Sequence, residues 1–134
     1  MPVISIMMFI QTPDAAPAGG HYSQAVTHNG LVYVSGLLPV LPSGEKLIDA
    51  PLARQVQAVL ENLNAILTAA HSAPDQVLQV RIYVIDINDW TEINRLYMAF
   101  FGPHKPARAV VPVPTLHYGL RLELEATAVC SNEV

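Results

Sequence analysis

The segment Arg121-Leu122-Glu123-Leu124-Glu125-Ala126-Thr127-Ala128-Val129 alternates without a break. Leu122, Leu124, Ala126 and Ala128 point one way; Arg121, Glu123, Glu125 and Thr127 point the other. A period of two is a strand, so this segment belongs in a sheet with one buried face and one polar face. Upstream, Pro106-Ala107-Arg108-Ala109-Val110-Val111-Pro112-Val113 reads as a second strand, apolar except for Arg108. A guanidinium keeps its proton, so Arg108 needs an anion or water. The anion is either a carboxylate of this chain or one carried by a ligand.

The rest of the chain supplies more strands and two helices. Val3 to Ile10, rich in Ile, Met and Phe, reads as a first strand. Pro13, Pro17, Gly19 and Gly20 mark a loop over 12–20. Gln24 to His28 and Leu31 to Ser35 flank Asn29-Gly30, the strongest short-range hairpin signal. After a loop with Pro39, Pro42, Ser43 and Gly44, Asp49 is expected to cap a helix, with Pro51 near its first position. Leu52, Val56, Val59, Leu60, Leu63, Ile66, Leu67 and Ala70 recur at helical spacing as far as His71 to Pro74. Gln76 to Asp86 is a strand, with Leu78, Val80, Ile82 and Val84 on one side and Gln79, Arg81 and Tyr83 on the other. Asp89 and Glu92 form a capping-box-like start to a second helix, striped by Ile93, Leu96, Tyr97 and Phe100 and ended by Gly102-Pro103.

The order β-ββ-α-β-α-ββ describes one α+β domain over 1–134, with two helices covering one face of a sheet. Tyr33, Ser35, Gln79, Arg81, Tyr83, Arg121, Glu123 and Glu125 fall on the other face. The chain is 51% hydrophobic and only 13% charged, against about 25% charged in ordinary soluble domains. That balance favours packing the second face against further copies of the chain. A net charge of −4 and the lack of a basic run count against nucleic acid as a partner. The apolar N-terminus has no basic leader region, and it falls short of the roughly 20 apolar residues that span a bilayer. A lone cysteine, Cys130, allows no intrachain disulfide and fits a reducing, cytoplasmic compartment.

Several residues are candidates for chemistry. Arg108 and Glu123 lie on strands that can neighbour each other and meet across one face, either as an internal ion pair or as a carboxylate anchor beside a proton carrier. Tyr22 follows a glycine-rich loop, where it is either surface packing or the rim of a groove. Ser35-Gly36 ends a strand, and the glycine allows close backbone approach. Asn94 lies one turn into the second helix, where most asparagines are solvated. Asp86, Asp89 and Glu92 read as helix-start chemistry. The five histidines show no paired metal spacing, and no phosphate-binding glycine loop or nucleophile elbow is present. No metal site is therefore expected.

Three stretches, in register, carry a family resemblance. They are Gly19-Gly20-His21-Tyr22-Ser23-Gln24-Ala25 with Val34-Ser35-Gly36 and Pro39; Asp86-Ile87-Asn88-Asp89-Trp90 with Asn94, Tyr97, Phe100 and Phe101; and Pro106-Ala107-Arg108 with Leu122-Glu123-Leu124-Glu125-Ala126. Together they resemble the Rid (reactive intermediate deaminase, YjgF-like) family. The resemblance implies a chorismate-mutase-like fold, a six-stranded mixed sheet with two helices on one face, and a homotrimer whose sheets face inward. It also implies hydrolysis of 2-imino and 2-aminoacrylate-type acids to 2-keto acids and ammonia, in clefts between subunits and without a cofactor. Carried over by position, Arg108 would bind the substrate carboxylate and Glu123 would handle water. Tyr22, Ser35, Gly36 and Asn94 would line the cleft, Tyr22 from the adjacent subunit. Val110 stands where archetypal members often have cysteine, which removes a thiol and leaves the backbone N–H. His21 stands where many have proline. The alternatives are a non-catalytic trimer that binds small carboxylates, and a ribonuclease or translation inhibitor, which the charge disfavours.

Overall fold

In the computed structural model, which describes residues 6–131, the Asn29-Gly30 pair has φ of 53° and 77°. Two successive positive φ values are what a two-residue hairpin turn needs to follow the twist of its strands. They join β2 (Ala25–His28) to β3 (Leu31–Leu37). The remaining elements are β1 (Met8–Ile10), α1 (Leu52–Ala69), β4 (Val77–Val84), α2 (Trp90–Phe101), β5 (Ala107–Pro112) and β6 (Leu122–Val129). The strands form one sheet in the order β1-β2-β3-β6-β4-β5. Every neighbouring pair is antiparallel except β4 and β5, which are parallel and joined through α2.

The alternation in β6 is borne out. Leu122, Leu124, Ala126 and Ala128 are buried, and the residues between them are partly exposed. Val32, Val34, Val80, Ile82 and Val84 join them on the same face, under the apolar stripe of α1. Leu63, Ile66 and Leu67 of α1 are fully buried there. Both helices lie on this face, as expected.

Four local expectations are corrected. Only Met8–Ile10 of the first strand is observed; residues 3–5 lie outside the described residues. Asp49 does not cap α1: Pro51 holds the cap position, and its carbonyl accepts from the N–H groups of Arg54 and Gln55 at 3.0 and 3.1 Å. In β4 it is Val77, 1% exposed, that enters the core, whereas Leu78 is 48% exposed. The ladder with β6 shifts between Val77 and Gln79, and this bulge turns Leu78 outward.

The fourth correction concerns Asp89. It makes no capping hydrogen bond for α2. Its carboxylate instead accepts from Arg121, with Nε to Oδ2 at 3.1 Å and Nη2 to Oδ1 at 2.6 Å. Arg121 therefore turns toward the start of α2, off the open face where alternation would put it. Its backbone N–H donates to Gln55 Oε1 at 3.0 Å, and Gln55 Nε2 donates to the Ala50 carbonyl at 3.2 Å. Both Asp89 and Gln55 are buried, so the network ties the starts of α1, α2 and β6 together. Glu92 pairs with Arg95 at the surface, and Asp86 caps the short turn ahead of α2 by accepting from the Asn88 N–H.

Hydrogen bonds to charged groups contribute about 1.5–3 kcal/mol. Because Arg121 is 39% exposed, Asp89→Ala is expected to cost about 1.5 kcal/mol, toward the lower end. Urea unfolding checks this. A loss under about 0.5 kcal/mol would show the pair to be an ordinary surface contact.

Candidate active site

Arg108 stands on β5, the edge strand, opposite Val80 of β4. Val80 faces the helices, so Arg108 does too. There it meets one stripe of α2. Trp90, Asn94 and Tyr97 are spaced i, i+4 and i+7 and share a helical face. Arg108 Nη1 donates to Asn94 Oδ1 at 2.9 Å, and the guanidinium carbon lies 4.7 Å from the Trp90 ring centre and 4.9 Å from that of Tyr97. Arg108 is exposed, and no carboxylate pairs with it among the described residues. Asn94 is thus a partner of Arg108 and not a solvated helix residue. Val110, opposite Ile82, points to the same face and packs partly against the core.

Glu123 lies elsewhere. It pairs with Tyr83 in the β4–β6 ladder, on the open face. The expectation that Arg108 and Glu123 meet across one face is overturned on two counts: β4 separates their strands, and the register sends them to opposite faces. What Glu123 meets instead is Gly36. The β3–β6 ladder shifts between Val34 and Leu37, so β3 bulges at Ser35-Gly36. A Cβ on residue 36 would collide with Glu123 Oε2 and lie 3.1 Å from its Cδ, so the carboxylate occupies space that only glycine leaves. The bulge is pinned on its other side. The Ser35 hydroxyl donates to the Ser23 carbonyl at 2.6 Å, and the Ser35 N–H donates to the Gln24 carbonyl at 3.0 Å.

A cleft of about 450 Å³ opens beside the bulge, lined by Tyr22, Ser35, Gly36, Lys46, His117 and Tyr118 among others. Tyr22 is 51% exposed, and its hydroxyl accepts from the Gly19 N–H at 3.0 Å, which closes the glycine-rich loop on itself. Two buried amides that sequence reasoning passed over hold that loop. Gln24 accepts from the Thr12 N–H at 2.7 Å and donates to the carbonyls of Thr12 and Ala16 at 3.1 and 2.8 Å. Asn62 accepts from the Ala16 N–H at 3.0 Å and donates to the Val40 carbonyl at 2.7 Å. Asn62 did leave a signal, as a polar residue inside the apolar stripe with Val59 and Ile66. The Trp90–Asn94–Tyr97 spacing was another. Nothing in the sequence marks His117.

The proposed residues therefore fall into two groups. Arg108, Asn94 and Val110 lie on the helix face at the sheet edge. Tyr22, Ser35 and Gly36 line the cleft by the open face, and Glu123 packs against Gly36 beside it. Burial pushes the Glu123 carboxyl above its ordinary range; His117 pulls it down and Glu125 adds to the rise. A carboxyl so placed can hold a proton closer to neutrality. Among the described residues no group of His, Cys, Asp or Glu could hold a metal ion, and no helix is long and apolar enough to cross a membrane.

A family profile described as Endoribonuclease L-PSP matches residues 12–130. A solved structure of YyfA from Yersinia pestis, described as a protein of the Rid family, superposes with a TM-score of 0.88 at 32% identity, covering 92% of this chain and 99% of that one. The chain belongs to the Rid family. Within it, a rat protein named 2-iminobutanoate/2-iminopropanoate deaminase is 38% identical over 124 residues, 92% of this chain and 90% of the relative. TdcF of E. coli, solved with bound serine, superposes with a TM-score of 0.86 at 36% identity over 92% of this chain and 99% of that one. The six-stranded mixed sheet with two helices is the architecture these Rid structures share.

The raised Glu123 pKa has a consequence for stability. Near neutral pH, burying the ionised form opposes folding; once the group is protonated in both folded and unfolded chains, the penalty is gone. Glu123→Gln should therefore raise Tm near neutral pH, and the gain should vanish below about pH 4. A lower Tm for Glu123→Gln at neutral pH would mean that the charge is stabilised where it sits.

Proposed function

We propose that this Rid-family chain is a cofactor-free enamine and imine deaminase, and that its site is completed between subunits of a homotrimer. The observation that carries this is Arg108: exposed, held by Asn94 and two rings, and without a carboxylate among the described residues. A planar fork so presented suits a bidentate carboxylate. The name of the rat relative and the serine bound in TdcF support a small amino- or imino-acid-like ligand.

In the proposed reaction Arg108 fixes the carboxylate of a 2-imino acid, and an enamine substrate first tautomerises to that form. Water attacks C2 while the C=N π pair moves to nitrogen. Glu123 takes a proton from the water and returns it to the nitrogen of the tetrahedral intermediate. Glu123 then passes the C2 hydroxyl proton to the nitrogen, the oxygen lone pair forms the keto C=O as the C–N bond breaks, and ammonia leaves. Orientation and proton transfer suffice, because imine hydrolysis is intrinsically easy. Gly36 borders Glu123, and Ser35 and Tyr22 line the cleft beside it, Tyr22 from the same chain and not from a neighbour as the family resemblance implied; Val110 supplies backbone beside Arg108.

The two residue groups lie on opposite faces of one sheet, so one chain does not form the whole site. In a trimer with open faces inward, edge-strand Arg108 of one subunit would meet Glu123 and the adjoining cleft of its neighbour. The exposed Phe9 and Tyr33, 68% and 50% accessible, fit a face that packs on further copies.

Ammonia release from a freshly generated 2-imino acid tests the activity. Arg108→Ala and Glu123→Gln homotrimers should each lose about a hundredfold or more. Trimers co-assembled in equal parts from the two variants should regain about a quarter of the wild-type rate, the share of head-to-tail seams that keep both residues. No recovery in sedimentation-verified mixed trimers would exclude the shared site. Binding of 2-keto acids with no rate above the spontaneous one would leave only a carboxylate-binding trimer.

A ribonuclease role has the family description behind it and a net charge of −4 against it. RNA cleavage that survives in Arg108→Ala, with binding that weakens steeply as salt rises, would favour it.

A further inference from the structure

We infer that Tyr97 is a positioning residue for Arg108: its aromatic ring, together with that of Trp90, aims the guanidinium so that its edge N–H groups face a ligand carboxylate. The inference rests on the role proposed above for Arg108. An exposed arginine is a long, flexible side chain, and the single hydrogen bond from Nη1 to Asn94 leaves the guanidinium free to swing about it. The two ring faces remove that freedom, at 4.7 Å for Trp90 and 4.9 Å for Tyr97. Contact through the ring faces takes up no N–H, so the donors not given to Asn94 stay available.

Tyr97 is suited to this because it is itself immobile. It is 6% exposed, and its ring packs on Phe101 at a centroid distance of 4.6 Å; Phe101 in turn meets Phe100 edge-on at 4.9 Å. Rigidity thus passes from the core through Phe101 to Tyr97 and on to the cation. The Tyr97 hydroxyl is buried; burial raises its pKa, and Arg108 beside it pulls the pKa back down. Ring and hydroxyl thus both face the guanidinium, and the positioning is assigned to the ring, which Tyr97→Phe keeps. The same ring and Arg108 line a second cavity of about 460 Å³ at the end of α2, with Asn94, Met98 and His104.

Positioning of a carboxylate anchor acts equally on bound substrate and transition state, so it changes KM and not kcat. The test compares Tyr97→Leu, Tyr97→Phe and Trp90→Leu, using ammonia release and calorimetric titration with 2-oxobutanoate, and confirms folding and assembly by near-UV circular dichroism and sedimentation. Tyr97→Leu and Trp90→Leu should each raise KM and Kd about fivefold to tenfold with kcat within about twofold of wild type, while Tyr97→Phe keeps all three within about twofold. Unchanged KM and Kd in a folded Tyr97→Leu would overturn the inference, and so would a Tyr97→Phe variant as impaired as the leucine. Should Tyr97→Leu fail to fold, Trp90→Leu decides by the same thresholds. Arg108→Ala runs in parallel. If it leaves 2-oxobutanoate binding unaltered, the anchor role itself falls; if it abolishes binding while Tyr97→Leu does not weaken it, only the positioning role falls.

Discussion

Side chains on a strand alternate between the two faces of the sheet, and this one rule governs how the molecule distributes its chemistry. Arg108 is in register with Val80 and Glu123 with Tyr83. Because β4 presents Val80 to the helices and Tyr83 to the open face, the cation and the carboxylate diverge by a full sheet thickness. Each is left in an unfinished environment. The cation has rings and an amide but no anion among the described residues, and the carboxylate is half-buried against the backbone of Gly36. An internal Arg108–Glu123 ion pair would have satisfied both and left nothing for a ligand. On the proposed assembly, a second subunit restores the juxtaposition that a single chain forbids.

Around these two groups, direction is set by buried hydrogen bonds more than by apolar contact. Hydrophobic burial holds α1 on the sheet but is indifferent to the path of a loop. Gln24 and Asn62 are not indifferent: each spends both ends of its amide on backbone groups between residues 12 and 40. An amide removed from water is costly unless paired, so only one loop path satisfies it. The Gln55–Arg121–Asp89 network does the same where α1, α2 and β6 begin. The loop carrying Tyr22 and the helix carrying Asn94 are therefore both anchored in the core.

Much of this was legible residue by residue, and the failures share a pattern. Asn29-Gly30, the stripe of α1 and the alternation of β6 are local signals, and local signals survived. The capping roles expected of Asp49 and Asp89 did not, because a cap depends on where backbone N–H groups end up, and Asp89 found a stronger partner in Arg121, thirty-two residues away. Leu78 was misplaced because a bulge shifts register without changing composition. The same property hid the role of Gly36, since a glycine at a strand end looks alike whether it meets water, a ligand or Glu123.

Taken alone, the sequence determined the element order, the apolar face of each element, the family resemblance and the residue types at hand for chemistry, because each depends on neighbours within a few positions of the chain. Only the tertiary structure decided the order of strands, the register between them, and hence that Arg108 and Glu123 lie on opposite faces. Pairing between strands joins residues far apart in sequence, and a shift of one residue sends a side chain to the other side of the sheet.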